Sequence, residues 1–169
     1  INDTLGALGA TPVGMPVPQV PESLSRGVVD GVVIPWEVSR PLRVHELTDS
    51  LTWFAGDRGF YTSVFLYGMN KNTYESLPDD LKAVIDANSG MSLAQKIGKV
   101  WDEAEEPGRQ AAEERGNEFY VIEGAELERW KEASQPVIEA WIEQMSANGQ
   151  DGAALVEDAR SLIAQYESS

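Results

Sequence analysis

The sequence predicts an α/β fold, and three observations carry that reading. Short β-branched and aromatic runs alternate with segments of helical periodicity, the pattern of strands packed against helices. The helical segments outnumber the strands, and several strands have no partner near them in sequence. The charge is also uneven. Residues 1–74 hold seven acidic and five basic side chains, whereas residues 75–169 hold 21 and eight. A Gly-, Pro-, Val- and Leu-rich first part is thus followed by a predominantly helical part rich in Ala, Glu and Asp.

Taken in order, Asn2 to Gly9 reads as the end of a helix, with Leu5 and Leu8 three apart and Gly9 as its stop. Thr11 to Val17 is extended, since Pro12 and Pro16 cannot serve in a central ladder. Pro18 to Ser25 gives one or two helical turns, with Pro18 near the first helical position. Gly27 to Pro35, broken by Asp30-Gly31, reads as a turn feeding a buried strand. Arg43 to Trp53 reads as a strand or a short amphipathic segment, and leans to strand. Phe60 to Tyr67, aromatic and β-branched and ended by Gly68, has the clearest strand pattern. Ser76 then caps a helix with Pro78 in its first turn and Asp79 and Asp80 at the positive end of its dipole. Leu81, Val84 and Ile85 supply its apolar stripe. A helix from Ser92 to Arg115 stops at Gly116, with Pro107-Gly108 marking a kink. Phe119 to Ile122 is a short strand, and three helices close the chain at Glu126–Ser134, Pro136–Ala147 and Asp151–Tyr166.

Composition excludes several functions. The chain has 169 residues, 28 acidic and 13 basic, for a net charge of −15. Nucleic acid is not an expected partner, because phosphate binding needs clustered Lys and Arg, and an anionic membrane surface is disfavoured for the same reason. No apolar run reaches the roughly 20 residues of a membrane helix, so the chain is not expected to be membrane-embedded. A hydrophobic fraction of 42% with five Trp is enough for a core. There is no cysteine and a single histidine, His45, which removes disulfides, thiolate chemistry and a multi-His zinc site. No metal and no cofactor are expected, and any catalysis would rest on carboxylates. The chain opens Ile1-Asn2-Asp3, without Met and without the basic and apolar regions of a signal peptide. It therefore reads as processed, or as part of a longer protein.

Among candidate functional residues, His45 reads as structural or surface. Asp102 to Glu106 reads as a solvated helix face, since neighbouring helical carboxylates point to different sides. No calcium loop occurs, and Gly6, Gly9 and Gly14 lack the spacing of a phosphate cradle. Trp36 and Glu37 follow Pro35 at the end of the expected buried strand, where open α/β sheets place ligands. The competing reading is a Trp that anchors a crossover, with an exposed Glu beside it. Phe60 and Tyr61 are either plain core or part of the aromatic wall of a small-molecule cleft.

A resemblance separates these readings. Gly9-Ala10-Thr11-Pro12-Val13-Gly14-Met15-Pro16, followed by Leu24-Ser25-Arg26-Gly27-Val28-Val29-Asp30-Gly31, resembles the extracytoplasmic solute-binding subunit of TRAP (tripartite ATP-independent periplasmic) transporters. Ile34-Pro35-Trp36-Glu37, Met69-Asn70-Lys71 and Leu77-Pro78-Asp79-Asp80-Leu81 continue the pattern in order. The resemblance implies a periplasmic-binding-protein-like fold of two α/β lobes closing over one ligand, with this chain its incomplete C-terminal half. Residues 1–38 would then be the remainder of the second lobe, residues 39–122 the crossover strands, the strand ending at Met69-Asn70-Lys71 and the long helix, and residues 123–169 the closing helices.

The same resemblance implies a periplasmic protein that captures a small organic acid and delivers it to the membrane subunits of the transporter. The family's carboxylate-clamping arginine lies upstream of Ile1, and none of Arg26, Arg40, Arg43 or Arg58 fits its motif. The family's Glu-Asn pair after Asp-Gly is replaced by Val33-Ile34, which implies a more apolar ligand body. By position, the substrate-binding residues are Val17, Ile34, Trp36, Phe60 and Tyr61, with Glu37 a polar candidate; no residue is expected to be catalytic. The sheet edges of a half-length chain would favour dimerisation in isolation. Two rival functions make different demands. A carboxylate-based hydrolase needs two inward carboxylates with separated pKa values, and an acidic helical protein-interaction domain needs no aromatic cleft.

Overall fold

The computed structural model describes residues 1–56 and 59–167. Its elements run α1 (Asn2–Ala7), a 3-10 turn (Val17–Gln19), α2 (Val20–Ser25), α3 (Trp36–Ser39), α4 (Val44–Leu47), β1 (Ser50–Phe54), α5 (Lys71–Glu75), α6 (Asp79–Ala87), α7 (Met91–Arg115), β2 (Glu118–Ile122), α8 (Gly124–Ala147) and α9 (Gly152–Glu167). β1 and β2 pair with each other. Glu118 N–H donates to the Asp49 carbonyl at 2.9 Å and Ala55 N–H to the Ile122 carbonyl at 3.0 Å. Both partners advance together along their strands, so the pair is parallel and needs the long helical crossover between them.

Several expectations hold. α1 stops before Gly9, which sits at φ 89°. Pro18 falls in the first turn of the 3-10 segment. α7 ends on Gly116 in the left-handed conformation, its N–H bonded to the Glu113 carbonyl at 2.9 Å.

Others are corrected. The turn at Gly27 forms, but residues 28–35 pair with no strand among the described residues. Arg43 to Trp53 is not one strand. Arg43 adopts φ 56° and caps the single turn of α4, its Nε donating to Glu46 at 2.7 Å, and β1 begins only at Ser50. Phe60 to Tyr67 also forms no ladder: Leu66 is 96% and Tyr67 97% exposed. Strand propensity describes fit to a half-buried pleated surface, and among the described residues no neighbouring strand supplies one. Ser76 ends a helix rather than starting one. Asn70 caps α5, its side-chain oxygen accepting from Asn72 N–H at 2.9 Å and Thr73 N–H at 3.2 Å, and Pro78 precedes α6. The closing helices number two among the described residues, because α8 runs unbroken through Pro136. The half-buried face of Leu127, Trp130, Ala133, Val137, Ile138 and Ile142 continues at helical spacing across the proline, so packing outweighs the one lost hydrogen bond.

The contacts divide the chain into two compact units. One comprises Ile1–Gly14, Phe54–Arg58 and Val121–Ser169. In it α8 packs against α1 and α9, and Phe54 meets Trp130 edge-on at 5.3 Å. Gly152 is required at the second contact, since a Cβ there would lie 2.6 Å from the Ile142 carbonyl oxygen. The other unit comprises Met15–Trp53 and Gly59–Tyr120. Its buried apolar cluster is Val20, Leu24 and Val44, joined by Met15, Val29, Val32, Leu42 and Leu47. α3 and α4 both lie on α7.

Candidate functional site

Pro35 holds an extended conformation at φ −67°, and Trp36 opens α3 directly after it. Trp36 therefore begins a helix rather than ending a strand. Its half-buried ring stacks on Phe119 of β2, centroids 6.1 Å apart and planes at 16°, and tilts against Trp53 of β1 at 6.3 Å. The Arg109 guanidinium of α7 lies 5.7 Å from the Trp53 ring centre, within cation–π range. Three aromatic rings and one cation thus form a continuous layer.

Glu37, the next residue of α3, is half-buried. Its charge is felt by two other groups. Burial raises the Glu105 carboxyl above its ordinary value, and the charges of Glu37 and then Asp102 raise it further. Burial likewise raises the Tyr61 phenol; a hydrogen bond with Ser63 pulls the other way, and the charges of Glu37 and Glu105 add to the rise. Tyr61, Glu37 and Glu105 are therefore electrostatic neighbours, while Glu105, like the other carboxylates of the Asp102 to Glu106 run, is exposed as expected. Phe60 meets Tyr61 edge-on, with ring centroids 6.4 Å apart.

The remaining sequence-predicted residues lie elsewhere. Val17 is exposed on the 3-10 turn, and Ile34 is half-buried in the irregular segment before Pro35. His45 is half-buried on α4. Its carbonyl accepts from Arg115 Nε at 2.7 Å, and its Nδ1 is buried with no hydrogen-bond partner among the described residues. Arg26 pairs with Glu22 at 2.9 Å, and Arg43 pairs with Glu46. Arg58 lies outside the described residues. Among the described residues, the second unit has concavities away from the aromatic layer. One, of about 570 Å³, lies between α2 and α4 over Leu42 and Leu47; a smaller one of about 90 Å³ is lined by Arg40 and α7. Neither is lined by the six predicted residues.

Sequence reasoning missed Trp53 and Phe119 as neighbours of Trp36, Glu105 as an electrostatic neighbour of Glu37, and Arg109 beside Trp53. Trp53 and Phe119 carried a usable signal, since both sit in short apolar runs read as strand.

Residues 1–144 match the family model of the bacterial extracellular solute-binding proteins, family 7 (DctP). The chain belongs to this family. Among curated family 7 relatives, it is 26% identical over 144 residues to the C4-dicarboxylate-binding periplasmic protein DctP of Rhodobacter capsulatus, covering 85% of this chain and 42% of that protein. Among solved structures, a marine metagenome TRAP solute-binding protein specific for aromatic acid ligands superimposes with a TM-score of 0.93 at 45% identity, over 98% of this chain and 52% of that one. It has been seen with metahydroxyphenylacetate and with 3-hydroxybenzoate. A TRAP solute-binding protein from Rhodoferax ferrireducens, with copurified benzoate, gives a TM-score of 0.88 at 40% identity over 99% of this chain and 52% of that one. The chain spans about half the length of the proteins it matches. Its fold is the α/β fold of the two-lobe TRAP solute-binding proteins, as expected from the sequence.

Proposed function

We propose that this family 7 chain is the C-terminal half of the solute-binding component of a TRAP-type transporter, and that the whole protein captures a small aromatic carboxylate in the periplasm. The observation that carries the reading is the 45% identity, over 98% of the chain, to a protein specific for aromatic acids. The aromatic layer of Trp36, Trp53 and Phe119 is chemically consistent with it, because flat apolar ligands are held by aromatic walls with few polar groups. In this proposal Trp36, Ile34, Phe60, Tyr61 and Val17 face the ligand body and Glu37 a polar substituent. Residues 1–38 complete one lobe, residues 39–122 cross over and carry the long helix, and residues 123–169 close the fold. Ligand contacts made from both lobes favour the closed form, which is handed to the membrane subunits. Glu37 and Glu105 serve recognition, and no reaction is catalysed.

The test is a thermal-shift and calorimetric screen of the protein made from the intact reading frame, against benzoate, 3-hydroxybenzoate and succinate. Ligand at about 100 times Kd should stabilise the protein by about 2.7 kcal/mol. Benzoate or 3-hydroxybenzoate should do so at the lowest concentration. No shift with any acid, or a preference for succinate, would sink the reading.

A further inference from the structure

We infer that Gly108 is the positioning residue for Trp36, fixing that ring through direct backbone contact; the inference rests on Trp36 being part of the ligand wall. α7 presents Gly108 to the first turn of α3. A Cβ on residue 108 would lie 2.1 Å from the Trp36 carbonyl oxygen, 2.8 Å from the Trp36 carbonyl carbon and 2.9 Å from Ser39 Oγ. Real Cβ atoms do not approach backbone that closely, so any side chain here forces α3 away by about an ångström. Gly108 and Ser39 are both buried, and Ser39 Oγ donates to the same Trp36 carbonyl at 2.7 Å. The oxygen accepts from Ser39 Oγ and fills the space a Cβ on residue 108 would need, and the indole leaves the same residue towards Phe119 and Trp53.

Helix formation does not explain a glycine at this place, because glycine is among the poorest residues in a helix interior. Gly98 is a built-in control: it lies in the same helix, and a Cβ there would meet nothing within 4 Å. The close approach of α3 therefore requires glycine at 108 and not at 98.

The protein from the intact reading frame is compared with its Gly108→Ala, Gly98→Ala and Ser39→Ala variants by two readouts. The first is the circular-dichroism exciton couplet of Trp36 and Trp53, assigned by its loss in Trp53→Phe. The second is Kd for benzoate. Gly108→Ala should collapse the couplet and weaken benzoate at least tenfold, Ser39→Ala should move both in the same direction by less, and Gly98→Ala should change neither. An unchanged couplet and Kd in Gly108→Ala would overturn the inference. If that variant does not fold, the same two readouts on Ser39→Ala decide, and no change in them overturns it. If the unaltered protein binds no aromatic acid, the ligand reading falls. The couplet in Gly108→Ala then still judges the placement of Trp36, its loss supporting the inference and its retention overturning it.

Discussion

Glu105 is a carboxylate whose ionisation the fold opposes. Its carboxyl is raised by burial first and by the neighbouring charges of Glu37 and Asp102 second. The native state therefore holds that proton more tightly than the unfolded chain does. Stability contributed by the group is lost as pH rises from the ordinary carboxylate value, about 4, through the raised folded value, and it does not return above that. Glu105→Gln removes the ionisation. The variant should match the unaltered chain near pH 4 and exceed it at pH 7, by no more than about 0.5 kcal/mol because the side chain keeps contact with water. Urea denaturation at the two pH values checks this, and a gain that is the same at both would refute the cause assigned to the shift. The aromatic layer gives Arg109 a different task. Its guanidinium lies over Trp53 while pairing with Glu106 and Glu113, at 3.1 and 3.0 Å, so its charge is already engaged on its own helix.

At the level of elements, α5 depends on one side chain. Asn70 accepts two of the amide donors that a helix start leaves unsatisfied. Asn70→Ala should cost about 1 kcal/mol and should raise hydrogen exchange at the Asn72 and Thr73 amides before those of α6. Unchanged exchange at both amides would count against the cap. This cap was legible, since Asn70 stands immediately before a short helical run, yet the Ser76-Leu77-Pro78 signal drew the reading to the next helix. The Gly116 stop was read correctly because it is fixed by chemistry within a few residues, and the Phe119 to Ile122 strand because β1 supplies the partner its pattern needs. Residues 60–67 and Pro136 failed for the opposite reason. A strand needs a neighbour that local pattern cannot supply, and a proline is tolerated when a helix face is packed along its whole length. The candidate site follows the same division. Trp36, Glu37, Phe60 and Tyr61 stood out by residue type, whereas Glu105, Trp53 and Phe119 join them only through long-range packing.

For the whole molecule, the net charge of −15 promotes solubility while an apolar segment opposes it. Val64, Leu66 and Tyr67 are exposed on irregular backbone that joins no ladder among the described residues, and Phe65 meets Trp101 edge-on at 4.3 Å. Exposed apolar strand-like segments are templates for pairing with another copy. The 169-residue chain should therefore self-associate as its concentration rises, and Leu66→Lys combined with Tyr67→Lys should keep it monomeric with stability within about 0.5 kcal/mol. Sedimentation velocity distinguishes the two, and an unaltered chain that stays monomeric throughout would remove this segment as the contact.

β1 and β2 each carry the chain from one compact unit into the other, and neither unit is a continuous stretch of sequence. Truncation from the ends cannot yield the first unit, and trimming to residues 15–120 leaves the second unit with only Phe54–Arg58 of the first. A single backbone break in residues 62–69 would leave parts of both units on each fragment. The contacts of α1 with α8 and of α3 with α7 would still join the two fragments. Such a nick would leave the size of the native molecule unchanged, and would show as two fragments once the chain is denatured.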